Sequence, residues 1–154
     1  MEYAEHLFVS GDEEKNIQPR AFEQVYAVFD RDDHFSYHNA LAKAVALDGK
    51  LRNDLKQPVK FKAIASVPCF ELWLLLHFED VLAPLHRTEA YQRLRQYLPN
   101  YDKGQASHYA HTCHSLADAI RRAEHLAELS TAHNAVEPYT DMHALVQLLT
   151  TLKT

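Results

Sequence analysis

The sequence predicts an α/β fold, a small parallel sheet built on a βαβ unit and followed by a helical C-terminal half. Three observations carry that prediction. Residues 25–29 (VYAVF) are an apolar run too short for an ordinary helix and rich in β-branched and aromatic types, the pattern of a strand buried on both faces. Residues 59–66 (VKFKAIAS) alternate in character and read as a second strand. Between them Ser36 offers an N-cap, and Leu41, Ala44, Val45 and Leu47 form an apolar stripe reaching about Leu51. A helix linking two strands in this way implies a parallel pair with a right-handed crossover.

The other elements follow in chain order. Residues 1–24 read as a weakly ordered entry, with a short strand at 6–10 and loop chemistry at 11–19, where Asp12, Glu13, Glu14 and Lys15 cluster. Pro68 ends the second strand. Residues 70–78 are then apolar nearly all round, as suits a short helix buried beside a sheet, with Trp73 in the core and His77 as a packing histidine. Beyond Pro84 the pattern is of helices without strands. Thr88 caps a run to about Leu98, residues 99–104 (PNYDKG) form a loop, and Ser115 with Asp118 makes a capping-box start for a helix through Leu129. After a break at 135–139, Thr140 or Asp141 opens a last amphipathic helix that buries Met142, Leu145, Val146, Leu148, Leu149 and Leu152.

The 154 residues suit one domain spanning 1–154, and 47% hydrophobic with 24% charged content rules out disordered and fibrous classes. A net charge of −5 supplies no general attraction to nucleic acid, so such binding needs a local basic patch or bound metal ions. Cys69 and Cys113 have no zinc-like spacing and no signal-like segment is present, which points to a reduced, cytoplasmic chain. The densest apolar stretch, at 72–76, is far short of the roughly 20 residues that span a bilayer, so no membrane partner is expected.

The chemistry concentrates at the end of the first strand. Asp30, Asp32 and Asp33 follow the apolar run with no spacer, at the carboxyl end of a parallel strand, where open α/β sheets bind ligands. In an extended chain Asp30 and Asp32 share one side, with Cα atoms roughly 6.5–7 Å apart. Two carboxylates so placed repel unless a cation lies between them, and a hard divalent ion such as Mg²⁺ or Mn²⁺ takes oxygen ligands. The plainer alternative is a solvated turn leading into the next helix. Glu71 is an acid inside an apolar segment and must be paired, protonated or metal-bound, or else be a helix N-terminal carboxylate favoured by the dipole. His108, His111 and His114, with Cys113, recur at a spacing that drifts around a helix and lack a complete ligand signature, so surface histidines are the default. Lys103 reads as a phosphate contact or a solvated loop lysine.

Three stretches together carry a family resemblance. Residues 25–44 (VYAVFDRDDHFSYHNALAKA), 66–80 (SVPCFELWLLLHFED) and 135–149 (AVEPYTDMHALVQLL) resemble the RloB-like family, found beside restriction and phage-defence genes in bacteria, over roughly residues 22–152. That family is similar to the Toprim group of primases, topoisomerases and overcoming-lysogenization-type nucleases. The group uses a first-strand glutamate and a later DxD pair to hold Mg²⁺ for phosphodiester chemistry. The resemblance implies an incomplete Toprim-like fold, with Asp30 and Asp32 as the DxD pair and Glu71 as a further acid near the cation. It also implies antiviral defence by abortive infection, a nucleic-acid substrate, either DNA or RNA, and a partner ATPase from the same operon. The family's opening strand, ending in Glu-Gly, has no counterpart before Asp30, since Glu13 and Glu14 sit in SGDEEK with no glycine after them.

The expected function is therefore a Mg²⁺-dependent nuclease-like domain of a phage-defence system, with catalytic Asp30, Asp32 and Glu71 and metal ligands Asp30, Asp32 and Asp33. A catalytically inactive interaction or regulatory module serving a defence ATPase is the alternative. Haloacid-dehalogenase-like phosphatases are a third class, in which Asp30 would be nucleophile, Asp32 general acid and Ser66 the hydroxyl ending the next strand. Against that class, Asp33 stands where Thr or Val is usual. Pairing with a second copy as a homodimer stays open.

Overall fold

Seven α-helices and three strands are assigned in a computed structural model that describes residues 1–32, 35–104, 108–133 and 137–152. The described chain divides into two compact units. One comprises residues 1–28 and 33–64, the other residues 29–32 and 65–154.

The first unit opens on α1 (Glu2–Ser10) rather than the expected strand at 6–10. Glu2 and Glu5 occupy the first turn, where the positive end of the helix favours them, and Phe8 is the residue it buries. Gly11 ends the helix at φ 72°, and a Cβ there would lie 2.5 Å from the Ile17 carbonyl oxygen, so the turn requires glycine. Lys43 Nζ meets Glu5 at 2.8 Å, and the Arg20 N–H donates to the Phe8 carbonyl at 2.7 Å, so the entry segment is tied down by specific partners.

Strand β1 (Gln24–Asp30) leads to α2 (Tyr37–Leu47) and β2 (Lys60–Val67), the expected βαβ unit. The Lys60 N–H donates to Glu23, and further along the Arg31 N–H donates to Ser66, so partners advance together in both strands, as in a parallel pair. Two expectations are corrected here. Strand order is β1-β2-β3, so β1 lies at an edge and β2 in the centre, and Val28 is 51% exposed instead of buried on both faces. In α2 the buried residues are Tyr37 and Ala44, while Val45 is exposed and Ser36 makes no side-chain capping bond.

The second unit is mostly helical. Helix α3 (Glu71–Leu75) has all five residues buried, as its all-round apolar character predicts. It seats in a core with Leu94 of α4 (Arg87–Tyr97) and Ala119, Ala123 and Leu126 of α6 (Leu116–His133). Arg122 donates to the Leu76 carbonyl at 2.8 Å, satisfying an orphan acceptor just past α3. Helix α4 is capped by His86, two residues earlier than the expected Thr88, with its Nδ1 accepting from the Thr88 N–H. A short α5 (His108–Thr112) and a 3₁₀ turn ending at Ser115 precede α6, whose first turn holds Asp118.

A strand does occur beyond Pro84. The two-residue β3 (Tyr139–Thr140) pairs antiparallel with β2, Ser66 opposite Thr140, which makes the sheet mixed rather than purely parallel. Buried hydroxyls explain it, because Ser66 Oγ and Thr140 Oγ1 satisfy each other at 2.9 Å. The last helix, α7 (Met142–Thr151), buries no residue fully; Met142 and Val146 pack on the core, while Leu149 and Leu152 are more than half exposed.

Candidate acidic site

Strand β1 ends at Asp30, and the backbone turns at Asp32, whose φ of 40° is left-handed and rare for a residue with a side chain. Asp30 and Asp32 are thus not two alternate positions of one extended strand. The turn is held by the Asp32 N–H donating to the Pro68 carbonyl at 3.0 Å and by an ion pair between Arg31 and Glu137. Pro68 stands immediately after β2, so the same hydrogen bond sets the acidic turn beside the start of α3, where Glu71 lies. Asp33, expected as a third metal ligand, falls outside the described residues.

Asp30, Asp32 and Glu71 form one electrostatic cluster. Burial, then the charges of Asp32 and Glu71, push the Asp30 carboxyl from the ordinary 3.8 up to about 6, against the opposing pull of Lys103 and the Phe70 backbone. Glu71 moves the other way. It is only 2% exposed, and burial alone would raise it, yet the Cys69 thiol, its own backbone amide, the Tyr101 hydroxyl and Lys103 together hold it below the usual carboxylate range. The Tyr101 hydroxyl donates to Glu71 Oε1 at 2.9 Å, and Lys103 Nζ approaches the same oxygen at 3.2 Å. Burial and the Glu71 charge raise the Cys69 thiol to about 12 and also raise Tyr101, so both stay protonated as donors. These features exclude Cys69 as a nucleophile at neutral pH.

Two oxygens of the cluster stand out. Among the described residues Glu71 Oε2 and Asp32 Oδ1 are buried without a hydrogen-bond partner, and the latter is met by an ion pair with Arg87 Nη1 at 3.6 Å. A buried carboxylate oxygen left unmatched costs free energy, and hard oxygen donors of this kind suit a Mg²⁺-sized ion that keeps several of its waters. The donor chemistry therefore fits such a cation. Among the described residues no group of three or more His, Cys, Asp or Glu side chains is arranged to hold a metal by itself, so water would supply most of its shell. Beside Glu71 opens a pocket of about 330 Å³, lined also by Arg87, Tyr91, Gln92 and Lys103. Its two cations give it the character of an anion receptor next to a cluster of acids.

The remaining sequence candidates are placed elsewhere. His77 is buried and donates from Nδ1 to the Trp73 carbonyl at 3.0 Å, a satisfied packing histidine whose pKa burial depresses. His108 donates from Nε2 to the Asp102 carbonyl at 3.2 Å, and His111 and His114 are exposed, so among the described residues no transition-metal set forms around them. Ser66 spends its hydroxyl on Thr140. Glu13 and Glu14 are exposed in the turn after α1.

Sequence reasoning missed Tyr101, Cys69 and Arg87. Lys103 in the YDKG loop is the exception: it is largely exposed, as a loop lysine should be, and it also approaches Glu71 at 3.2 Å, a partner that the sequence does not indicate directly. The signal available was indirect: a lone acid in an apolar run needs donors, and YDKG holds two.

Among the described residues no helix is long and apolar enough to cross a membrane. No curated protein and no solved structure matches the chain. The model of the RloB-like protein family matches residues 1–149, nearly the whole length, and includes the α1 segment that the resemblance at 22–152 had left out. The chain belongs to the RloB-like protein family.

Proposed function

We propose that this chain is a Mg²⁺-dependent, phosphodiester-cleaving domain acting on nucleic acid in a bacterial phage-defence system, in the cytoplasm and alongside a defence ATPase. The observation that supports the reading is the buried Glu71 Oε2, without a partner among the described residues, next to Asp32 Oδ1, which has an ion pair with Arg87 but no hydrogen bond, in a cluster that raises Asp30 and abuts a cation-lined pocket. A cluster of perturbed acids in such a place is a functional-site signature with a physical cause.

In this reading Asp30, Asp32 and Glu71 would lend carboxylate oxygens to a largely hydrated divalent ion, which when bound would polarise a phosphate and lower the pKa of a coordinated water. Glu71 is held ionised by Tyr101, Cys69 and Lys103, which keeps it available to a cation and makes it a weak base, whereas Asp30, raised to about 6, is the better matched of the acids to accept a proton. Asp30 carries a proton below about pH 6 and must lose it before it can bind a cation. Arg87 and Lys103 supply positive charge toward a phosphate, which the net charge of −5 does not provide globally.

The test is cleavage of plasmid DNA and of transfer RNA with Mn²⁺ or Mg²⁺. Asp30→Asn and Asp32→Asn are each expected to lower the rate by at least about 100-fold without unfolding the chain. Equal cleavage by wild type and Asp32→Asn would discard the site. Mn²⁺ binding with no cleavage of either substrate would instead favour the non-catalytic module serving an ATPase.

A further inference from the structure

The pocket beside Glu71 and the ion pair on its wall combine into a specific device. Glu71 is 2% exposed and lines the pocket with one oxygen unmatched, while Lys103, which neutralises the other oxygen, is 62% exposed on its side chain. Lys103 lies in the turn between α4 and α5, on a long flexible stem, so it can leave the carboxylate without disturbing the core. Arg87, Gln92 and Lys103 give the same pocket donors suited to phosphate oxygens. An anion entering would nevertheless face the Glu71 and Asp32 charges unless those were first neutralised.

We propose that Lys103 is a displaceable counter-ion: it neutralises Glu71 in the metal-free chain, is released from that carboxylate when a divalent cation binds the acids, and then, within the pocket it lines together with Arg87, grips a phosphate group of the substrate. The inference rests on the metal-site reading above and adds an order to it, cation first and phosphate second. An ammonium and a divalent cation on one carboxylate repel each other, so the arrival of one weakens the hold on the other. The freed lysine then meets the phosphate at the point where its countercharge is needed. Cation and phosphate binding thereby become reciprocally coupled.

The test is calorimetric titration of the full chain with Mn²⁺, and with thymidine 3′,5′-bisphosphate in the presence and absence of Mn²⁺. In wild type, Mn²⁺ is expected to tighten the bisphosphate by about tenfold or more. Lys103→Gln removes the competing charge, so Mn²⁺ is expected to bind about threefold tighter, while the bisphosphate in Mn²⁺ weakens by about tenfold. Lys103→Arg, which keeps the charge, is expected to restore both toward wild type, and the melting temperature of each variant guards against a folding effect. Unchanged or weaker Mn²⁺ binding in Lys103→Gln would overturn the counter-ion role. Undiminished bisphosphate binding would overturn the grip on phosphate. Failure of wild type to bind Mn²⁺ at all is a separate result, which removes the metal-site reading and this inference with it.

Discussion

Two acidic positions in one cluster behave oppositely: the tip of β1, where Asp30 is pushed up to about 6, and the start of α3, where Glu71 is held below its ordinary value. Burial raises both, and Glu71 is the more completely buried of the two residues. What separates them is the company each keeps. Glu71 has been given a thiol, a phenol and an ammonium, all donors, whereas the largest influences on Asp30 after burial are two like charges. Burial therefore sets the cost of ionising a carboxylate, and neighbouring donors decide whether that cost is met. One acid is finished within the fold, except for a single oxygen. The other is left among like charges.

That contrast can be broken or sharpened by mutation. The largest effect is expected at α3, where Glu71→Ala removes the acceptor for Tyr101 and Lys103 in a buried site and should cost about 3 kcal/mol in urea unfolding. A cost under about 1 kcal/mol would mean that the donors are not sustaining the charge. Next, Tyr101→Phe deletes one donor and should cost about 1–2 kcal/mol. It should also raise the Glu71 carboxyl, visible as its side-chain carbon titrating at higher pH in NMR.

At the tip of β1 the sign reverses. Asp30 binds its proton more tightly folded than unfolded, so its contribution is fully present below the ordinary value near 3.8 and is lost as pH rises through about 6. Asp30→Asn should therefore stabilise the metal-free chain at pH 7.5 by about 1–2 kcal/mol and give little gain at pH 4. A loss of stability at pH 7.5 would show that the two acids are alike after all. The smallest effect is expected at Val28→Thr on the exposed side of β1, within about 0.5 kcal/mol in the same unfolding assay. A large loss there would place the residue in a core that the strand order does not give it.

The contrast between β1 and β2 shows why some of this was legible and some was not. VYAVF reads as a strand buried on both faces because its apolar run is continuous, and the alternating VKFKAIAS reads as a second strand. The order β1-β2-β3 puts the alternating strand in the centre, with Ile64, Ala65, Ser66 and Val67 all buried toward its end. Apolar content reports what a strand tolerates, while its neighbours decide what it receives. Strand β3 was invisible for the same reason, since two residues carry no periodicity and the pairing of Thr140 with Ser66 spans 74 positions. Helix α1 reads as a strand at 6–10 because three apolar residues, Leu7, Phe8 and Val9, fit either period until packing around Phe8 selects the helix.

For the site, Asp30, Asp32 and Glu71 could be picked out from the sequence as acids abutting apolar runs, a local conflict that has to be resolved somewhere. Their donors could not, because Tyr101 and Lys103 lie 30 and more positions away from Glu71, on a loop whose course depends on how α4 docks.

By itself the sequence determined the βαβ unit, the buried α3, the helix α6 and the acids at the strand tip, because each follows from periodicity, capping or composition within a short window. Only the tertiary structure decided that β1 is an edge, that a left-handed turn at Asp32 gathers the acids, and that Glu71 is charged while Asp30 resists it. Those outcomes depend on desolvation and on donors distant in the chain, and such energies exist only once the chain has folded.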